Sequence, residues 1–300
     1  MENTIDIKDL SFSFNKGKPI LKDLTINVPK GSIFGFLGAN GAGKSTTMRF
    51  IIGALTDTNK TIKLFGQELD TFYPDGFNKI GSLIDYPAFY DHLSGWDNLM
   101  VLSQLRQLPK QNAEEVLHLV GLWDARNIKM KKYSLGMKQR LAIAMSLLGN
   151  PELLILDEPV NGLDPNGMIE IRELLLKLNR EKGITIFISS HLLQEIEKMI
   201  THLAIISHGE IKFMGSKDEL NTLYQYSRVK VGINNAHQFI DKIPSVYSPK
   251  IINENTMECA VGSKEEVIAL NSLLVSQQAE IFELKSNTGL EDWFIELTKN

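Results

Sequence analysis

Apolar residues in the first two-thirds of the chain cluster in short runs at 25–28, 32–37, 61–65, 153–156, 184–188 and 203–206. Several of these runs are continuous, the pattern of strands covered on both faces rather than half-solvated. Between them the spacing changes to the helical period. Leu99, Leu102 and Leu105 open one helix, 113–120 forms a second closed by Gly121, and 135–148 and 168–179 form two more. From about residue 93 to residue 148 no strand pattern occurs. This predicts an α/β core with an all-helical subdomain inserted into it.

Beyond residue 227 the pattern changes. Val229, Val231 and Ile233 alternate as a strand, a helix is expected over 237–243, and two strands over 246–252 and 257–261 flank a turn at 253–255. Ser263 with Glu266 reads as a capping box for a helix carrying Val267, Leu270 and Leu274, and Ile281, Phe282 and Leu284 form a closing strand. The succession βαββαβ is that of a ferredoxin-like α+β unit. Leu290, Trp293, Phe294 and Leu297 then fall on one face of a final helix, a buried stripe. The expected domains are therefore 1–227 and 228–300.

Composition narrows the function classes. The chain has 300 residues, 43% of them hydrophobic, and a net charge of −4. That is enough apolar material for a core, and it leaves no overall basic pull toward nucleic acid or anionic lipid. A single cysteine, Cys259, excludes an internal disulfide or a cysteine zinc cluster and fits a reducing compartment. The first ten residues carry acids where a secretion signal carries bases and an apolar run. No stretch reaches the roughly 18 apolar residues of a membrane span; the nearest, 141–156, is broken by Asn150, Pro151 and Glu152. A cytoplasmic location is expected.

The strongest chemical signal is Gly38-Ala39-Asn40-Gly41-Ala42-Gly43-Lys44-Ser45-Thr46, a phosphate-binding loop between an expected strand at 33–37 and an expected helix at 46–52. Glycines let backbone N–H groups wrap phosphate oxygens, and the helix start adds positive potential. Lys44 would neutralise the outer phosphates and Ser45 would offer its hydroxyl to Mg²⁺. This loop alone leaves kinases, GTPases and motor ATPases open. The run 153–156 then ends in Asp157 and Glu158, placing both acids at the carboxyl edge of a parallel sheet. Asp157 would hold the Mg²⁺ shell and Glu158 would orient the attacking water.

With these residues in order, about residues 1–220 resemble the ATP-binding subunit of an ABC transporter. Tyr133-Ser134-Leu135-Gly136-Met137-Lys138-Gln139-Arg140 stands where that family has its LSGGQ-x-Q-R signature. Asp164 matches the D-loop, Ser190-His191 the switch histidine, 80–85 the Q-loop, and Phe14 the aromatic that stacks on adenine, although Phe14 reads equally as core. The resemblance implies ATP and Mg²⁺ as ligands, Glu158 and His191 as the catalytic pair, and Ser134 and Gly136 as donors to ATP held by a second chain. It implies a homodimer, or a pair with another cassette chain, and a separate integral membrane permease at whose inner face the subunit sits.

Three departures stand out: Leu135 and Met137 within the signature, Asp85 in place of the Q-loop glutamine, and phenylalanine for tyrosine at residue 14. Asp85 is expected to reach Mg²⁺ only when dimer closure or permease contacts bring its loop inward. The SLGMKQR form, Pro87-Ala88-Phe89-Tyr90 and the tail 289–297 are similar to the bacitracin and lantibiotic-resistance branch. This implies antimicrobial peptide export. The segment 85–96, with Pro87, Phe89, Tyr90 and Trp96, is expected either to meet the permease or to pack the helical subdomain. A soluble ATPase working on ribosomes or DNA is the rival reading. Relatives of the first kind usually carry two cassettes, those of the second long coiled-coil insertions, and neither is present in this sequence; no nucleic-acid partner is expected. A module that holds ATP without turnover is opposed by Glu158 and His191.

Overall fold

The computed structural model describes residues 2–14, 17, 19–85, 89–224, 228–286 and 289–298. Its contacts divide the chain into two units, Met1–Gly215 and Ser216–Asn300. This division falls earlier than the boundary expected after residue 227, because a helix over 217–224 groups with the second unit; residues 225–227 lie outside the described residues.

The first unit begins with β1 (Asn3–Phe12), β2 (Leu21–Pro29), β3 (Ile33–Leu37), α1 (Lys44–Ile51), β4 (Ile62–Leu64), β5 (Gln67–Glu68), α2 (Leu69–Phe72) and β6 (Ile80–Leu83). Three helices follow, α3 (Gly95–Leu105), α4 (Lys110–Leu119) and α5 (Leu135–Leu147). The unit closes with β7 (Leu153–Asp157), α6 (Pro165–Lys182), β8 (Thr185–Ser190), α7 (Leu193–Glu197), β9 (His202–Ser207) and β10 (Glu210–Ser216). The expected helical subdomain is α3 to α5, and α3 starts at a capping box made by Ser94 and Asp97.

Two sheets enclose the core. One is six-stranded, in the order β10-β9-β3-β8-β7-β6; the other is four-stranded, β2-β1-β4-β5, and antiparallel. Ile5, Ile7 and Ile26 of the smaller sheet bury completely with Phe36, Ile155 and Phe187 of the larger one and Met48 of α1. Such continuous burial is what fixes their apolar identity. Parallel pairing sets Leu37 beside Ser190 and Asp157 beside Ser189. The carboxyl ends of β3, β7 and β8 therefore reach the same edge, where an α/β sheet presents its ligands.

Gly81 marks a close approach. A Cβ there would stand 1.9 Å from the Ser146 carbonyl oxygen of α5 and 2.8 Å from Leu154 Cδ2. Backbone on one side cannot yield without moving α5. Gly81→Ala should therefore destabilise the first unit by about 3 kcal/mol, read as a lowered denaturant midpoint.

The second unit holds α8 (Lys217–Tyr224), β11 (Arg228–Ile233), β12 (Lys250–Asn253), β13 (Thr256–Ala260), α9 (Lys264–Ser276), β14 (Ile281–Ser286) and α10 (Leu290–Thr298). Its sheet runs β12-β13-β11-β14 with every pair antiparallel. The helix expected over 237–243 is instead two short 3₁₀ turns, 236–238 and 240–242. Asn235 in the left-handed region and Pro244 bound this run at its two ends. The strand expected from 246 starts only at Lys250, after another 3₁₀ turn and a left-handed Ser248. Ser263 caps α9 by accepting the Glu266 N–H at 3.2 Å, but the Glu266 carboxylate takes the Gly262 N–H at 2.7 Å rather than completing the box on Ser263. Val229, Val231, Met257, Cys259, Leu270 and Leu274 form the core of this unit, and burial pushes the Cys259 thiol up to about 11, away from reactivity. Leu290 and Trp293 of the final stripe are buried.

Candidate functional site

The loop joining β3 to α1 needs its glycines for space as well as for torsion. A Cβ on Gly38 would meet the Ile206 carbonyl oxygen at 2.6 Å, and one on Gly43, at φ 114°, would meet Leu21 Cδ2 at 2.6 Å. Gly41, at φ 79°, has open space around it. Lys44 is buried as the first residue of α1, and its ammonium donates to the Gly38 carbonyl at 2.6 Å and the Ala39 carbonyl at 3.3 Å. Burial holds this ammonium below the usual lysine range, with the Glu158 and Asp157 carboxylates pulling in the opposite direction.

Asp157 ends β7, and Glu158 follows with φ 50°. One Asp157 oxygen accepts the Ser45 hydroxyl at 2.5 Å and the other accepts the Ser189 hydroxyl. Glu158 Oε2 receives the His191 N–H at 3.2 Å and lies 2.8 Å from His191 Nδ1. Glu158 Oε1 is buried with no hydrogen-bond partner among the described residues and lies 3.8 Å from the Lys44 ammonium. Loop, acids and serine line a cleft of about 430 Å³, with Asn40, Gly41, residues 43–46, Asp85, Asp157 and Glu158 among its walls.

This arrangement fits a nucleoside triphosphate with Mg²⁺. Gly38 and Gly43 have no room for a Cβ, a carboxylate oxygen of Glu158 is left without a hydrogen bond among the described residues, and Ser45 and Asp157 supply hard oxygens side by side. Among the described residues no cluster of three acids, histidines or cysteines could cage a metal. Mg²⁺ is usually held by one or two protein oxygens together with substrate phosphates, and the Ser45 hydroxyl and Asp157 carboxylate would be those oxygens.

The remaining expected residues are placed differently. Asp85, at φ 64°, lines the cleft but pairs with Arg49 of α1 at 2.8 Å, its side chain 64% exposed. Phe14 is half-exposed, sets its ring edge-on to Phe12, and does not line the cleft. Ser134 is the N-cap of α5, accepting the Met137 N–H at 3.2 Å, and Asp164 is the N-cap of α6, accepting the Gly167 N–H at 3.1 Å. Ser134 is exposed, a Cβ on Gly136 would meet nothing within 4 Å, and neither residue lines the cleft of its own chain. In the segment 85–96, Tyr90 is exposed, whereas Trp96 packs edge-on to Trp123 with Lys110 over its ring; Pro87 and Ala88 lie outside the described residues.

Sequence reasoning assigned no role to Ile20, Leu83, Gln139 and Asn161, which line the cleft, nor to Ser189. Ser189 left a signal: with Ser190 it is a polar pair closing an otherwise apolar strand.

Comparison with known proteins identifies the family. The ABC transporter family profile matches residues 21–161. An uncharacterised ABC transporter ATP-binding protein of Bacillus subtilis (strain 168), YhcH, is 38% identical over 99% of this chain and 97% of its own length. The bacitracin transport ATP-binding protein BcrA of Enterococcus faecalis is 36% identical over 99% of this chain and 97% of its own, and its Bacillus licheniformis namesake is 45% identical over 70% and 69%. Among solved structures, cbiO1 of Clostridium perfringens, part of the ABC transporter complex cbiONQ, superposes with a TM-score of 0.67 at 27% identity, covering 73% of this chain and 91% of that one. No helix among the described residues is long and apolar enough to cross a membrane. The chain belongs to the ATP-binding, ATP-hydrolysing subunits of ABC transporters.

Proposed function

We propose that this subunit powers the export of an antimicrobial peptide of bacitracin or lantibiotic type through a separate membrane permease, as self-protection or resistance. The observation that carries this reading is the match to a bacitracin transport ATP-binding protein along 99% of the chain, second unit included. A lantibiotic transport ATP-binding protein of Streptococcus pyogenes, SrtF, is 41% identical over 69% of the chain and adds support.

In this reading the loop amides and Lys44 hold the ATP phosphates. Ser45 and Asp157 hold Mg²⁺, which neutralises charge on the phosphates. Glu158 orients water and takes its proton, and His191 fixes Glu158 and senses the γ-phosphate. Asp85 would reach the metal only after leaving Arg49, and Phe14 is the aromatic that would stack on adenine. Ser134 stands exposed and Gly136 partly exposed at the start of α5, and with Asp164 they serve the ATP of a second chain. The segment around Tyr90 meets the permease at the inner face of the membrane. The second unit is a ferredoxin-like module, a reading supported by its strand order, and it folds apart from the ATPase unit.

The test is expression with the permease it serves in a bacitracin- and lantibiotic-sensitive bacterium. Tolerance to one peptide class should rise several-fold and return to baseline with Glu158→Gln. Unchanged tolerance alongside measurable ATPase activity would overturn the substrate reading and leave the ATPase intact.

A further inference from the structure

Ser189 is fully buried near the end of β8, yet both hydrogen bonds of its hydroxyl go to the catalytic edge of β7. It donates to Asp157 Oδ1 and accepts the Glu158 N–H at 3.0 Å, while its own carbonyl takes the same N–H at 3.2 Å. Asp157 Oδ2 faces Ser45. The neighbouring Ser190, equally buried, makes a local contact instead, accepting the Leu192 N–H at 2.9 Å.

We infer that Ser189 is a positioning residue for Mg²⁺, resting on the reading of the cleft as a Mg²⁺·ATP site. By occupying Oδ1 it fixes the rotation of the Asp157 carboxylate and presents Oδ2 alone beside Ser45, a one-oxygen ligand aimed at the metal. The same hydroxyl ties down the Glu158 backbone, whose left-handed φ of 50° a non-glycine residue holds only when its surroundings impose it. Metal ligand and water-orienting glutamate are thus set by one side chain. Without it the carboxylate keeps only the Ser45 contact and can rotate about its last torsion, away from the orientation that aims an oxygen at the metal. Residues that orient metal ligands typically change metal affinity about 10- to 100-fold when removed.

The experiment measures equilibrium binding of a fluorescent ATP analogue to the full chain, first in EDTA and then against increasing Mg²⁺. For Ser189→Ala the Mg²⁺ midpoint should rise about 10-fold, the lower end of that range. Affinity in EDTA should stay at the parental value, because the loop amides and Lys44 are untouched. Ser190→Ala, which removes an equally buried hydroxyl from the same strand, should leave the Mg²⁺ midpoint unchanged. Should the alanine variant fail to fold, Ser189→Cys keeps most of the volume with a weak donor and should give the same rise. A parental midpoint in the folded variant, or an equal loss of affinity in EDTA and in Mg²⁺, would overturn the positioning role. Nucleotide binding by the parent chain with no Mg²⁺ dependence would overturn the cleft reading itself, and this inference with it.

Discussion

Glu158→Gln should bind ATP at least as tightly as the parent and hydrolyse it about 10²- to 10⁴-fold more slowly, a loss of roughly 3 to 5 kcal/mol of transition-state stabilisation. Glutamine keeps the length and shape of the side chain, and its amide oxygen can accept the His191 N–H as Oε2 does at 3.2 Å. What it lacks is the capacity to take a proton. In the parent, Glu158 Oε1 is buried 3.8 Å from the Lys44 ammonium with no hydrogen-bond partner among the described residues, so it keeps the capacity to take a proton from an attacking water. Binding should not suffer, since loss of a carboxylate 3.8 Å from the Lys44 ammonium also removes its repulsion of incoming phosphates. Phosphate release and nucleotide affinity, measured on the same preparation, separate the two steps. The arrested variant should also dimerise on Mg²⁺·ATP in sizing experiments. Turnover at the parental rate would remove Glu158 from the chemistry.

The core strands were legible because burial on both faces demands apolar side chains, and 153–156 and 184–188 meet that demand without interruption. β6 was not, because contact with α5 places Gly81 at its centre and the strand ends within a few residues. β1 escaped notice although Ile5 and Ile7 alternate with polar residues, as a strand with one wet face should. In the second unit, four-residue spacing between Phe239 and Ile243 imitates a helix. The intervening chain satisfies the same burial with 3₁₀ turns, which sequence periodicity does not separate from a short α-helix.

At the site, short contiguous motifs were readable and long-range pairings were not. Lys44, Ser45, Asp157 and Glu158 come together as their motifs imply, because strand register fixes them. The partner of Asp85 is Arg49, thirty-six positions away on the helix that the phosphate loop opens, and no local spacing announces that contact. Gln139 stands within the signature motif, yet it reaches the cleft of its own chain. Trp96 has a composition suited to an interface, and its contacts with Trp123 and Lys110 decide for packing within the helical subdomain; exposed Tyr90 keeps the interface reading for its own position.

Lys44→Met should separate stability from binding. Nucleotide affinity should fall about 10²- to 10³-fold, the effect of losing a buried charge partner worth roughly 3 to 4 kcal/mol. Stability without nucleotide should change much less. The ammonium gives up two bonds to loop carbonyls, at 2.6 and 3.3 Å, but the dominant influence on its ionisation is burial, an unfavourable term that the variant removes. The pH dependence follows from the same balance. Because the folded-state pKa lies below the unfolded value of 10.5, the folded chain gives up this proton first as pH rises. Over that window the unfolded chain binds more protons, so the contribution of Lys44 to stability increases with pH. Its contribution to ATP affinity moves the other way, since neutral Lys44 no longer attracts phosphate. Between neutral pH and the usual lysine pKa, the parent should therefore lose ATP affinity more steeply than Lys44→Met while gaining stability relative to it. Labelled-nucleotide binding and denaturant midpoints, taken on both proteins across that range, give the two slopes. Parallel slopes for parent and variant would mean that Lys44 keeps its proton throughout and that burial does not govern it.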